Sequence, residues 1–225
     1  MGAKMSSRKR PAAIDGPAAF AEAFRVPRET IHRLQRYADL LAHWQRSTNL
    51  VAPSTVPALW SRHFADSAQL AKLAPDARLW LDLGSGAGFP GLVVALLNAG
   101  KAEFRMHLVE ANRKKCAFLA EVVRETGAPV EVHNARIEAL AESVDRPDVV
   151  SARAVAPLPQ LLELVAPFFG AQTRGLFLKG REAEAEIGAA RDGWTFDARL
   201  HPSQTATDAH VVEIADLQQR AARAP

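Results

Sequence analysis

Leu79-Trp80-Leu81-Asp82-Leu83-Gly84-Ser85-Gly86-Ala87-Gly88-Phe89-Pro90-Gly91 is the stretch that decides the fold. Its first five residues form a short, largely apolar run of the length of a buried strand. Four glycines then fall at positions 84, 86, 88 and 91. A strand that turns sharply while its backbone approaches a ligand favours residues without a Cβ. Pro90 suits an early helical position, where its missing N–H costs little, and the first turn of that helix offers free N–H groups. In open parallel sheets, ligands bind beyond the carboxyl ends of the strands, which is where this loop lies.

The loop has three readings. Gly86-Ala87-Gly88-Phe89-Pro90-Gly91 fits G-x-G-x-x-G, the dinucleotide fingerprint of NAD-dependent oxidoreductases. Two points count against it: the strand ends at Leu83, which makes Gly84 the turn glycine, and Asp82 precedes the turn. The result is D-x-G-x-G-x-G, the pattern methyltransferases use around the methionine moiety of S-adenosylmethionine. A glycine-rich turn without a ligand is the third reading. Glu110, closing His107-Leu108-Val109-Glu110, stands where a carboxylate accepts hydrogen bonds from both ribose hydroxyls. NAD enzymes place an acid there too, so Glu110 supports nucleoside binding without choosing the cofactor. A solvated strand-end acid is its plain alternative.

Downstream of the loop, short apolar runs alternate with helical stretches. Strands are expected at 78–83, 104–109, 130–133, 148–151 and 175–178. Helices are expected at 90–98, 113–125 (closed by Gly127), 137–141, 158–166 and 182–190. Five β-then-α units imply a mainly parallel sheet with helices on both faces. Strands near 194–200 and 210–214 have no helix between them, so they should pair as an antiparallel hairpin. This is an α/β fold: a Rossmann-like seven-stranded methyltransferase sheet ending in an antiparallel hairpin. Upstream, Ile31, Leu34, Ala38, Leu41 and Trp44 recur at helical spacing over 29–46. A second helix is expected from about Thr55 to Pro75. The expected organisation is a disordered basic tail over 1–16, a helical extension over 17–76, the methyltransferase domain over 77–218 and a short tail over 219–225.

Bulk properties narrow the class. The 225 residues are 48% hydrophobic and 24% charged, ordinary for a soluble globular protein. No apolar run approaches the roughly 20 residues of a membrane span. The basic start lacks the apolar stretch of a secretory signal. Cys116 is the single cysteine, which excludes an intrachain disulfide and points to a reducing cytoplasmic compartment. The net charge of +3 rests on Lys4, Arg8, Lys9 and Arg10; without them the rest is close to neutral. Bulk charge therefore gives no argument for a nucleic-acid partner. The seven histidines show no metal-ligand spacing along the chain, and no metal is expected.

Several separated segments resemble one family: the bacterial small-subunit rRNA guanine-N7 methyltransferases, RsmG (also called GidB). They are Trp44–Leu50 (WQRSTNL), Arg62–Ser67 (RHFADS), Asp82–Gly91 (DLGSGAGFPG), Arg136–Glu138 (RIE), Ser151–Ala154 within SARAVA, and Leu178–Gly180 (LKG). The resemblance spans about residues 28–190. It implies S-adenosylmethionine as cofactor and 16S rRNA of the small ribosomal subunit as partner, with the chain acting as a monomer. It places Gly84, Gly86 and Phe89 at the cofactor loop, with Phe89 where an aliphatic residue is usual. Ile137 and Glu138 fall at positions contacting the adenine, and Arg153 at the cofactor pocket. Glu110 stands where relatives often carry Asp. Asn49, His63, Asp66 and Lys179 become acceptor-side candidates.

The residues constrain the acceptor chemistry. Cytosine C5 methylation requires a cysteine nucleophile, but Cys116 falls within a helix away from the expected acceptor pocket and reads as a small packed side chain. Exocyclic-amine methylation usually goes with Asn/Asp-Pro-Pro-aromatic after the fourth strand, where this chain has Ser151-Ala152-Arg153-Ala154. Guanine N7 has a free lone pair and loses no proton, so it needs no general base, and none is identified. Lys179 fits either RNA phosphate binding or strand capping. Arg153 fits a cofactor or phosphate contact, or a pair with a nearby acid. Arg113-Lys114-Lys115 at a helix start opposes the helix dipole. With Arg33, Arg36, Arg46 and Arg62 it suggests a basic face for rRNA; a solvated surface is the alternative. A small-molecule or protein acceptor also remains open.

Overall fold

The computed structural model describes residues 14–141 and 143–220. Residues 1–13 of the basic tail expected from sequence, and most of the short C-terminal tail, lie outside the described residues. The chain forms α1 (Pro17–Phe24), α2 (Arg28–Trp44), a 3₁₀ turn (Pro53–Ala58), a π-helical turn (Trp60–Ala65) and α3 (Asp66–Leu73). Then follow β1 (Leu79–Leu83), α4 (Gly91–Leu97), β2 (Arg105–Glu110), α5 (Arg113–Thr126), β3 (Val130–Asn134) and a 3₁₀ turn (Ile137–Ala139). The last section is β4 (Val149–Arg153), α6 (Leu158–Val165), a 3₁₀ turn (Ala166–Phe168), β5 (Arg174–Lys179), α7 (Ala183–Ala190), β6 (Trp194–Pro202) and β7 (His210–Gln219).

The seven strands form one sheet in the order β3-β2-β1-β4-β5-β7-β6. The first five are parallel; β7 runs antiparallel to both β5 and β6. The expected parallel sheet with its terminal hairpin is what forms. Alternation along each strand divides the core into two layers. Trp80, Met106, Leu108, Leu176 and Leu178 face a layer shared with α2–α5. Leu81, Leu83, Val109, Val150 and Phe177 face a layer shared with α6 and α7. Among the described residues no helix is long and apolar enough to cross a membrane.

Two upstream elements differ from expectation. The second helix is divided into 3₁₀, π and α segments. Pro57 lies inside the 3₁₀ segment and supplies no N–H to an α-helical ladder. Helix α1, absent from the sequence reading, starts with Pro17 at its first turn and packs Phe20 against Phe24 and Trp60. Downstream, boundaries moved by only a few residues, except that the helix expected at 137–141 is a 3₁₀ turn of three residues and that β7 runs to Gln219. Helix α5 is capped at both ends: Asn112 Oδ1 accepts from the Lys114 and Lys115 amides, and Gly127 takes the left-handed φ of +62°.

The helical section is joined to the sheet by polar contacts as well as packing. Trp44 Nε1 donates to Glu121 on α5 at 2.7 Å, and Arg36 pairs with Glu125 at 2.8 Å. From the other side, Arg174 on β5 donates to the Leu73 carbonyl at 2.8 Å and pairs with Glu213 on β7.

Candidate active site

Strand β1 ends at Leu83 and the chain turns at once through Gly84, φ +63°, then Gly86, φ +58°, and Gly88, φ +93°. Those angles are costly for residues with a Cβ. Space adds a second constraint: a Cβ on Gly84 would lie 2.7 Å from Val155, and one on Gly91 2.8 Å from Asp82. The turn glycine is therefore Gly84, as the strand register predicted.

Asp82 holds the loop from beneath. It is fully buried, accepts from the Ser151 hydroxyl at 2.6 Å and from the Gly91 amide at 3.3 Å, and so ties β1 to β4 and to the start of α4. Ser151 in turn accepts from Trp80 Nε1 at 2.9 Å. Burial raises the Asp82 carboxyl to about 6, against the pull of these hydrogen bonds. Glu110 reaches the loop from β2. Its carboxylate accepts from the Gly86 amide at 2.9 Å and from the Asn112 amide at 2.7 Å.

Phe89 is the meeting point of the two groups of candidates. His63 stacks on it with centroids 4.9 Å apart, and the Arg153 guanidinium lies 5.0 Å over its ring. Arg153 Nη1 is 3.7 Å from Asp66 Oδ2 and donates to the Arg62 carbonyl at 3.3 Å. Burial pushes Asp66 up, while Arg153, the Thr205 hydroxyl and Arg62 pull it down. His63 is lowered to about 4 by burial and by the fields of Arg153 and Arg62, so it is neutral at pH 7. Its Nε2 contacts the Thr55 hydroxyl at 2.8 Å, and its buried Nδ1 has no partner among the described residues.

The other sequence candidates lie apart from this cluster. Asn49 is exposed, in a loop whose shape is fixed by Gln45 bonding to Leu50 and Val51. The Lys179 ammonium pairs with Glu186 at 2.8 Å and donates to the Ala156 carbonyl at 2.6 Å. Glu186 also accepts from the Leu158 amide, so the trio joins β5 to α6 and α7, in line with the strand-capping reading. Ile137 and Glu138 sit in the 3₁₀ turn just beyond β3; Ile137 is half-buried and Glu138 exposed. Cys116 is buried in α5 with its Sγ on the Glu110 carbonyl.

Three contributors were missed in the sequence. Tyr37, the only tyrosine, is fully buried, donates to the Ala87 carbonyl within the glycine loop and stacks on Phe89 at 5.3 Å. Its signal was present: it falls three residues after Leu34 and four before Leu41 on the apolar face of α2. Gln69 follows Asp66 by three residues on the same helix, a spacing that places the two side chains together, whereas Thr205 had no local signal. Both bond Asp66 Oδ1 at 3.0 Å, Thr205 from the β6–β7 connection.

Comparison with known proteins identifies the family. Residues 30–212 match the family described as rRNA small subunit methyltransferase G. The chain is 50% identical over 200 residues to the ribosomal RNA small subunit methyltransferase G of Parvibaculum lavamentivorans, covering 88% of each chain. It is 47% identical over 226 residues to that of Rhodopseudomonas palustris, covering 96% of each. In fold it resembles the O-methyltransferase TomG from Streptomyces achromogenes, solved with SAM, at a TM-score of 0.58 and 15% identity over 94% of this chain and 99% of that one. A family match over residues 30–212, with relatives about half identical over most of their length, places this protein in the rRNA small subunit methyltransferase G family.

Proposed function

We propose that this chain transfers a methyl group from S-adenosylmethionine to N7 of a guanine in 16S rRNA. Family membership supports rRNA methylation. The observation that carries the site reading is the junction at Phe89, where the glycine loop meets His63, Asp66 and Arg153. Gly84, Gly86 and Gly88 give the close backbone approach a bound nucleoside sulfonium needs, and Glu110 stands at the strand end suited to its ribose. Ile137 and Glu138 are proposed for its adenine, and Arg153 for the pocket wall. S-adenosylmethionine supplies an activated methyl group, and the work left to the protein is alignment and exclusion of water.

Guanine N7 gives up no proton, so the site needs no base. The titratable groups fit that demand: His63 is neutral with one nitrogen engaged, and Asp66 is held by Gln69, Thr205 and Arg153. Asn49, His63 and Asp66 are proposed for the acceptor side. We place the activity in the cytoplasm, on a monomer acting on the small ribosomal subunit. The nicotinamide alternative finds no support in the register, because Gly84 and not Gly86 opens the turn.

The test is mass-spectrometric mapping of 16S rRNA nucleosides in cells with and without this protein. One 7-methylguanosine should disappear with the gene and return when purified protein and S-adenosylmethionine are supplied. An unchanged nucleoside map, with labelled methyl passing only to small metabolites or proteins, would overturn the proposal.

A further inference from the structure

Linear spacing hides a second cluster that the sheet creates. In the parallel register of β2 and β3, His107 stands opposite Glu131. His133 is two residues beyond Glu131, so all three side chains leave the same face. The two imidazoles stack with centroids 5.0 Å apart, and His107 Nδ1 lies 2.8 Å from His133 Nε2. Glu131 Oε2 is 3.7 Å from the first nitrogen and Glu131 Oε1 3.8 Å from the second.

We propose that His107, Glu131 and His133 form a binding site for a late first-row divalent ion, with Zn(II) as the favoured occupant. Imidazole and carboxylate together suit such ions. A tetrahedral ion with bonds of about 2.0–2.2 Å holds its ligand atoms about 3.3–3.6 Å apart. The distances here bracket that range, and small ring movements with a turn of Glu131 close the difference. Glu131 is 67% exposed, and β3 is an edge strand of the sheet, so an ion has an open approach and room for water in the remaining position.

Metal ligation requires neutral imidazole. Without an ion, one ring N–H bridges the facing nitrogens. On binding, that proton moves to the outer nitrogen of the ring that carries it, both lone pairs turn to the metal, and no net proton is lost from the pair. The ion would clamp β3 to β2 just before the turn carrying Ile137 and Glu138.

The test uses the full chain without a histidine tag, dialysed against chelator and titrated with Zn(II) alone by calorimetry. Co(II) absorption serves as an independent reading of the coordination geometry. We expect one equivalent of saturable uptake, a tetrahedral Co(II) spectrum and a raised melting temperature. His133→Gln should abolish the uptake. Glu131→Gln, on an exposed side chain, keeps the fold intact and should weaken uptake at least roughly tenfold, the lower bound for losing even an indirect ligand support. Absence of stoichiometric uptake, or uptake that Glu131→Gln leaves unchanged, overturns the proposal.

Discussion

Asp82 is a buried carboxylate that stabilises the loop by geometry while its charge opposes folding. Its pKa rises on folding, so the folded state binds the extra proton between about pH 4 and 6. Stability from this group is greatest below the unfolded value and declines as pH rises through the folded one. The full difference is about 3 kcal/mol. Asp82→Asn should remove this pH-dependent component, so that urea unfolding from pH 4 to 7 shows wild type losing stability relative to the variant. Parallel pH profiles would refute that account. Asp82 and the glycines were legible because a turn at a strand end constrains residue type locally. The Thr205 partner of Asp66 was not, because it lies 139 positions away and nothing in its own neighbourhood marks it.

Helix α2 is the element that couples the helical section to the glycine loop. Its inner face brings Leu34, Tyr37 and Leu41 into the core, and Tyr37 reaches across to Ala87. Tyr37→Phe keeps the ring stacked on Phe89 but leaves the Ala87 carbonyl unpaired in a buried site. The expected loss is about 1 kcal/mol of stability, read by chemical denaturation, together with weaker S-adenosylmethionine binding by calorimetry. Equal stability and affinity would show that the loop holds its shape without the Tyr37 hydroxyl. Helix α2 and the alternating strands were readable because periodicity reports which face is buried. The π-helical turn at Trp60–Ala65 was not, because its apolar spacing resembles that of an ordinary helix; it nonetheless carries His63.

At the scale of the molecule, the helical section and the sheet share one core. Phe20, Tyr37 and Phe64 belong to the same apolar layer as Trp80, Leu92 and Phe118. A chain beginning at residue 77 would expose that layer to water. It should therefore lose cooperative thermal unfolding and bind a hydrophobic dye, whereas the full chain melts in one transition. A cooperative melt from the shortened chain would show that the sheet is self-sufficient. The division at residues 76 and 77 follows a change of texture in the sequence, whereas the packing runs across it. Sequence patterns report local period and say little about which surfaces later coincide. The histidine pair on β2 and β3, 26 positions apart in the chain, is hidden for the same reason.

The Thr205–Asp66 bond also sets an order in time. During synthesis the glycine loop and Asp66 leave the ribosome well before Thr205. At about 5–20 residues per second the interval is roughly 7–30 s. Ser151, which holds Asp82, and Arg153, which faces Asp66, are made within that interval, and Thr205 supplies the last hydroxyl to Asp66 only after both. The full set of contacts to Asp66 therefore waits for the final hairpin.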